Sequence, residues 1–212
     1  MSDTSNEVLP GAPEDGTPDR DPIARFTRVF EEAKLIPRHL LPEPTAFALG
    51  TVDASGQPSV RIVLLKHVDA RGFVFYTNFQ SRKGRELLAT PKAAMCFHWQ
   101  PMEQQVRVEG RAEQVSESEA DAYFASRARG SQLGAWASIQ SEPMADPGDL
   151  DARVREMEQK YEGQTVPRPP HWSGFRIVPE RIEFWRSMPS RLHVRHLYVR
   201  RGTEWEIRRL FP

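Results

Sequence analysis

Ile23, Phe26, Val29, Phe30 and Ala33 recur at helical spacing behind Asp21, an N-cap acceptor, and Pro22 at the first helical position. The pattern predicts a helix that stops before Pro37. From Thr45 to Val115 the period shortens, and "TAFALGTVD", "PSVRIVLLKHVD", "GFVFYTN", "AAMCFHWQ" and "EQQVRVEGRAEQV" read as strands. The turn signals "DASGQP" and "DARG" separate the first of these as in antiparallel hairpins. Between the third and fourth runs, "SRKGRELLATP" reads as a short helix opening with basic residues and ending at Pro91, with free backbone N–H groups at its start suited to an anion.

Further along, Ser116 and Glu119 form a capping-box pattern ahead of "ADAYFASRA". A second polar-capped helix is predicted through "SQLGAWAS", and "DPGDLDARVREMEQKYEG" reads as a charged amphipathic helix closed by Gly163. After the proline-rich "TVPRPPHW" come the strands "GFRIVP", "RIEFWRS", "RLHVRHLYVR" and "EWEIRRL". Strands clustered in hairpins with helices between them predict a mostly β chain with inserted helices (α+β), an antiparallel barrel rather than a parallel βαβ sheet. No glycine-rich dinucleotide fingerprint follows any strand.

Composition narrows the partners. Lys+Arg and Asp+Glu are equal at 29 each in 212 residues, so no overall field draws the chain to nucleic acid or an anionic membrane. Residues 1–21 gather acids in a Pro- and Gly-rich stretch that reads as a disordered acidic tail, leaving 22–212 as a single domain. No stretch supplies the ~20 apolar residues that span a bilayer. One cysteine, Cys96, excludes an internal disulfide and fits a cytoplasmic setting.

The positive charge is clustered. If "RLHVRHLYV" is a strand, alternation puts Arg191, His193 and Arg195 on one face and Leu192, Val194 and His196 on the other. A solvated edge strand and an anion or electron-rich-ring site are both open readings of that segment. Arg61 and Lys66 bracket four apolar residues that look buried, and their odd separation puts them on opposite faces of a regular strand. Either a bulge intervenes or they serve different parts of a ligand; plain strand-end charges are the simpler reading. Arg82 and Lys83 stand at the predicted helix start. Tyr123, Arg127 and Ser131 supply the phenol, guanidinium and hydroxyl donors that bind a phosphate monoester, the first two on one helical face. The six histidines form no HExxH pattern, no GxSxG elbow occurs, and Cys96 in its apolar run reads as a buried structural thiol.

Taken together, "RIVLLK", "FYTN", "SRKGREL", "QQVRVEGRAE", "YFASRARGSQLGAWAS", "PPHWSGFRIVPERIEFW" and "RLHVR" resemble the pyridoxine/pyridoxamine 5′-phosphate oxidase family, in family order from about residue 22 onward. The resemblance implies an FMN-binding split barrel, antiparallel and Greek-key-like, working as a homodimer with FMN at the interface. By position it implies flavin contacts from Arg61, Ile62, Val63, Leu64, Leu65, Lys66, Tyr76, Thr77, Arg82, Lys83, Gln105, Gln140, Ser141, Trp185 and Arg195. It implies substrate contacts from Lys66, Tyr123, Arg127, Ser131, Arg191, Leu192 and His193, with Arg191 and His193 as the catalytic candidates and no metal. The implied reaction is oxidation of pyridoxine 5′-phosphate and pyridoxamine 5′-phosphate by dioxygen to pyridoxal 5′-phosphate and hydrogen peroxide.

The chain departs from that pattern at Val194, where the family usually has an aspartate that could pair with a neighbouring arginine, and at Phe211, where it usually has alanine. Two other functions stand beside the first: an FMN oxidase of another aromatic substrate, such as a phenazine precursor, and a non-catalytic flavin- or pyridoxal-phosphate-binding module. Retention of Lys66, Tyr123, Arg127 and Ser131 argues against the phenazine reading.

Overall fold

The computed structural model describes residues 19–212, so most of the acidic stretch lies outside the described residues. Helix α1 (Pro22–Leu35) starts as expected, with the Asp21 carboxylate accepting from the Ile23 N–H at 2.8 Å. The strands are β1 (Ala46–Val52), β2 (Pro58–Leu64), β3 (His67–Asp69), β4 (Gly72–Asn78), β5 (Lys92–Trp99), β6 (Gln104–Gln114), β7 (Trp172–Arg186), β8 (Val194–Arg201) and β9 (Glu204–Arg209). Between them lie α2 (Arg82–Ala89), α3 (Glu117–Ser126), α4 (Arg129–Ala137) and α5 (Asp149–Lys160).

All pairings are antiparallel, in the order β2-β1-β5-β6-β7-β4-β3, with β8 on β7 and β9 on β8. Although β2 and β3 stand at opposite ends of that order, only Leu65 and Lys66 separate them. The Leu65 N–H donates to the Thr45 carbonyl beside β1, and the Lys66 N–H to the Val74 carbonyl of β4, each at 2.9 Å. The segment 58–69 thus leaves one edge, joins the other and closes the sheet into a barrel.

The sequence reading of "GFRIVP" and "RIEFWRS" as two strands is corrected: both belong to β7, a single strand of 15 residues. Its register against β6 shifts where Glu109 faces Arg181 and Gly110 faces Pro179, so Glu180 is the extra residue of a bulge. Proline has no N–H for a ladder, and a bulge is where a long strand tolerates it. Before the bulge β7 pairs outward with β4, and after it with β8, so the sheet divides there.

Rings fill the barrel. Phe26 of α1 closes one end, its ring centroid 4.8 Å from Phe73 and 5.0 Å from Phe97, over a core that includes Phe47, Leu49, Phe75, Val106 and Phe184. A second cluster of Phe124, Leu133, Tyr161, Val166 and Trp172 attaches α3, α4 and α5 to the outside of β4 and β7. The buried Arg176 guanidinium fixes α3 there, reaching Asp69 at 2.7 Å and Glu119 at 3.0 Å.

Further expectations fail locally. The strand predicted from Arg191 begins at Val194, because Pro189–Arg191 form one tight turn with φ of 57° at Ser190 and 60° at Arg191. Arg191 and His193 therefore do not share a strand face with Arg195. The apolar residues of "RIVLL" are not all buried: Ile62 is 66% exposed on the edge strand β2, while Leu65 packs into the core. Helix α3 ends at Ser126, so Arg127 is its C-cap in extended conformation and does not continue the helical face of Tyr123. Helix α4 starts behind Ala128 with no side-chain cap. Cys96 is half-buried rather than fully enclosed, and burial raises its thiol pKa.

Candidate active site

Where segment 58–69 crosses between the sheet edges, β2, β4, the start of α2 and the α3–α4 connection surround a cavity of about 820 Å³. That lies within the range of small-molecule and cofactor sites. Arg61, Ile62, Val63, Leu64, Lys66, Tyr76, Thr77, Arg82, Lys83, Tyr123, Arg127, Ser131, Gln140 and Ser141, all candidates named from the sequence, line it. The parity problem of Arg61 and Lys66 dissolves, since β2 has ended before Lys66. Leu65 is the exception: it is 3% exposed, in the barrel core and not at the cavity.

Basic side chains form two groups. In the first, Lys83 Nζ donates to Gln140 Oε1 at 2.9 Å and Ser81 Oγ at 3.2 Å. Burial, and secondarily the charge of Arg61, lowers the Lys83 pKa to about 8. Burial also lowers the pKa of Arg61. The helix start offers less free backbone than expected: the Arg82 N–H donates to Ser141 Oγ at 3.2 Å and the Gly84 N–H to the N-cap Ser81 Oγ at 3.3 Å. Side chains must therefore carry more of any anion binding there.

In the second group, the Arg127 guanidinium lies 4.7 Å from the centroid of the Trp172 ring. Tyr123, Tyr76 and Trp172 are nearly parallel, with Tyr76 and Tyr123 centroids 4.0 Å apart. Burial lowers the Arg127 pKa and raises that of Tyr123. Two polar atoms of cavity residues, Thr77 Oγ1 and Arg127 Nη1, are buried with no hydrogen-bond partner among the described residues. A buried unpaired donor is costly, and an oxygen-rich ligand relieves that cost. The cavity thus fits an anionic ligand with hydroxyl or phosphate oxygens.

The sequence reading missed Trp172, the aromatic support of Arg127; its signal was a tryptophan opening the strand after "RPPH". It also missed Glu86, which lies behind Arg61 and Arg82.

The remaining candidates gather elsewhere. Gln105, Trp185 and Arg195 are direct neighbours across β6, β7 and β8, hence on one face of the sheet. The His193 ring stands 4.6 Å from Trp185, and its Nδ1 accepts from the Met188 N–H at 3.2 Å. Arg191 and Leu192 are exposed beside them. A separate cavity of about 390 Å³ lies between Leu192, His193 and the C-terminal residues Arg209 to Pro212. None of these residues lines the larger cavity. Arg195 is not left unpaired by Val194: its Nε meets the buried Glu183 at 2.8 Å, and Glu183 also takes Arg107 at 2.6 Å. The Glu183 hydrogen bond raises the Arg195 pKa.

Residues 38–186 match the profile described as pyridoxamine 5′-phosphate oxidase. The chain belongs to this family. Residues 172–212, which hold Trp185, Arg191, Leu192, His193 and Arg195 but not Gln105, match the pyridoxine 5′-phosphate oxidase C-terminal dimerisation region. A pyridoxine/pyridoxamine 5′-phosphate oxidase from Myxococcus xanthus (strain DK1622) is 61% identical over 91% of this chain and 92% of that protein. One from Cupriavidus taiwanensis is 50% identical over 100% and 99%. Among solved structures, PhzG from Burkholderia lata 383, in complex with tetrahydrophenazine-1-carboxylic acid, superposes with a TM-score of 0.88 at 34% identity, covering 97% of this chain and 99% of that one. The oxidase fold is thus kept over almost the whole chain.

Proposed function

We propose that this protein oxidises pyridoxine 5′-phosphate and pyridoxamine 5′-phosphate with FMN and dioxygen, yielding pyridoxal 5′-phosphate and hydrogen peroxide; from the amine, the imine first formed takes up water and releases ammonia. The observation that carries this reading is one cavity lined by five basic side chains, Arg61, Lys66, Arg82, Lys83 and Arg127, enough for two phosphates. FMN, when bound, supplies the two-electron redox chemistry and the reactivity toward dioxygen.

The protein's share is binding and orientation. Arg61, Arg82 and Lys83 hold the flavin phosphate, with Thr77 Oγ1 free to donate to the same ligand. Lys66, Tyr123, Arg127 and Ser131 hold the substrate phosphate, far from the reacting carbon, so that their binding energy orients that carbon. Trp172 supports the Arg127 guanidinium over its ring, leaving Nη1 for a phosphate oxygen. Gln105, Trp185, Arg191, Leu192, His193 and Arg195 serve the cavity of the partner subunit in a homodimer, which accounts for their absence from the cavity of their own chain. There Arg195 offsets negative charge on the flavin ring, Arg191 stabilises charge at the reacting carbon, and His193 accepts a hydrogen bond or proton from substrate. The lone thiol Cys96 fits a reducing, cytoplasmic setting.

The test is anaerobic. Protein loaded with FMN is mixed with pyridoxine 5′-phosphate, and the visible flavin absorbance should bleach and return when air is admitted. A bound flavin that stays yellow with both substrates would overturn the reading. The PhzG likeness makes a phenazine precursor the comparison substrate, and Lys66, Tyr123, Arg127 and Ser131, all present around the cavity, favour the phosphorylated one.

A further inference from the structure

Glu86 is an acid where the proposed ligand is an anion. It is 5% exposed and makes four polar contacts. Its Oε2 accepts from Thr51 Oγ1 at 2.5 Å, from Ser59 Oγ at 2.7 Å and from Arg61 Nη2 at 3.3 Å. Its Oε1 accepts from Arg82 Nε at 2.9 Å. Arg61 in turn donates through Nη1 to Thr51 Oγ1 and through Nη2 to Ser59 Oγ. Each hydroxyl has one hydrogen. With Arg61 donating to their oxygens, Thr51 and Ser59 turn those hydrogens to Glu86. The result is a closed arrangement in which only acceptor oxygens fit at Glu86.

We propose that Glu86 is a positioning residue that selects the phosphorylated flavin by holding Arg61 and Arg82, from two different elements, in one phosphate-binding geometry. This rests on the reading above that the flavin phosphate lies at Arg61, Arg82 and Lys83. Charge counting agrees: three cations less one acid leaves two positive charges, matching a phosphate of about −2. Burial opposes ionisation of Glu86, but the hydrogen bonds from Thr51, Ser59 and Arg82 and the charge of Arg61 keep its pKa at about 2. Glu86 also favours the charged form of Lys83, against burial and Arg61.

The consequence runs opposite to simple charge repulsion. Removing an acid beside an anion site should tighten anion binding if the acid acts only as a point charge. In Glu86→Gln, the amide nitrogen must instead face either the hydroxyl hydrogens and Arg61 or the Arg82 Nε–H. One arginine is thereby released. The experiment measures affinities of the purified protein for FMN and for riboflavin by flavin fluorescence quenching. Wild type should prefer FMN, and Glu86→Gln should lose about tenfold or more of FMN affinity, with riboflavin affinity within about twofold. Thr51→Val, which keeps the carboxylate and removes a hydroxyl outside the cavity lining, should shift the FMN-to-riboflavin ratio the same way by less. Unchanged or tightened FMN binding, or an equal loss for both flavins, overturns the proposal. A wild-type protein that does not distinguish the two flavins would instead refute the phosphate placement itself.

Discussion

Lys83 is the cavity residue whose charge is most sensitive to pH near neutrality, because burial and Arg61 bring its pKa to about 8. An anion bound beside it favours the ammonium and raises that pKa, so above pH 8 binding must take up a proton. Flavin phosphate is already a dianion there, its second pKa being about 6. FMN affinity should therefore fall as pH rises from 7 to 9, by at most about tenfold per unit. Lys83→Arg keeps its charge over that range and should flatten the profile, and riboflavin should show no such fall in either protein. A wild-type FMN affinity that is level from pH 7 to 9 would remove Lys83 from the phosphate site. At this scale much was legible, since Arg61, Lys66, Arg82, Lys83, Tyr123, Arg127 and Ser131 are donor types that few other chemistries collect. Leu65 stands apart from them, because a run of contacts carried over by position does not show which side chain turns into the core. Glu86 was invisible for the opposite reason. Four residues after Arg82, it reads as an ordinary helix pair, and its contacts with Thr51, Ser59 and Arg61 come from strands far away in sequence.

Strands and helices were recovered from hydrophobic period and caps, and the errors fall where tertiary pairing overrides local pattern. Pro179 looked like a strand end but sits at a bulge inside β7; "RLH" looked like strand but is a turn leading into β8. The bulge makes a demand of its own. A Cβ on Gly110 would lie 2.1 Å from the Val178 carbonyl oxygen, a backbone atom that cannot swing aside. Gly110→Ala must open the β6–β7 ladder where the sheet divides, and should cost about 2 kcal/mol. For a chain of this size that lowers the thermal midpoint by about 5 °C, readable by calorimetry. A melting point within a degree of wild type would show that the bulge relaxes freely.

The two groups of candidate residues lie on different parts of one chain, and the proposed homodimer with shared sites is the assembly that would bring them together. The larger cavity has phosphate-binding donors but none of Gln105, Trp185, Arg191, His193 or Arg195. Those residues fall within, or on the strand beside, the part of the chain that matches the family's dimerisation region. Val60 and Ile62 add an exposed apolar edge at the cavity, as a surface awaiting a second copy would. Sequence pattern alone could not show this, because hydrophobic period reports which face is apolar and not which molecule covers it. If each site combines the cavity of one subunit with the Arg191 group of the other, defects in the two groups must complement. Arg127→Ala and Arg191→Ala should each be nearly inactive as pure homodimers. Co-expressed in equal amounts, they form heterodimers with both lesions in one site and none in the other. Half the dimers are then mixed and half their sites intact, so about a quarter of wild-type turnover should return. Were each site built from one chain, every site in the mixture would keep one lesion, and turnover would stay at the level of the separate variants.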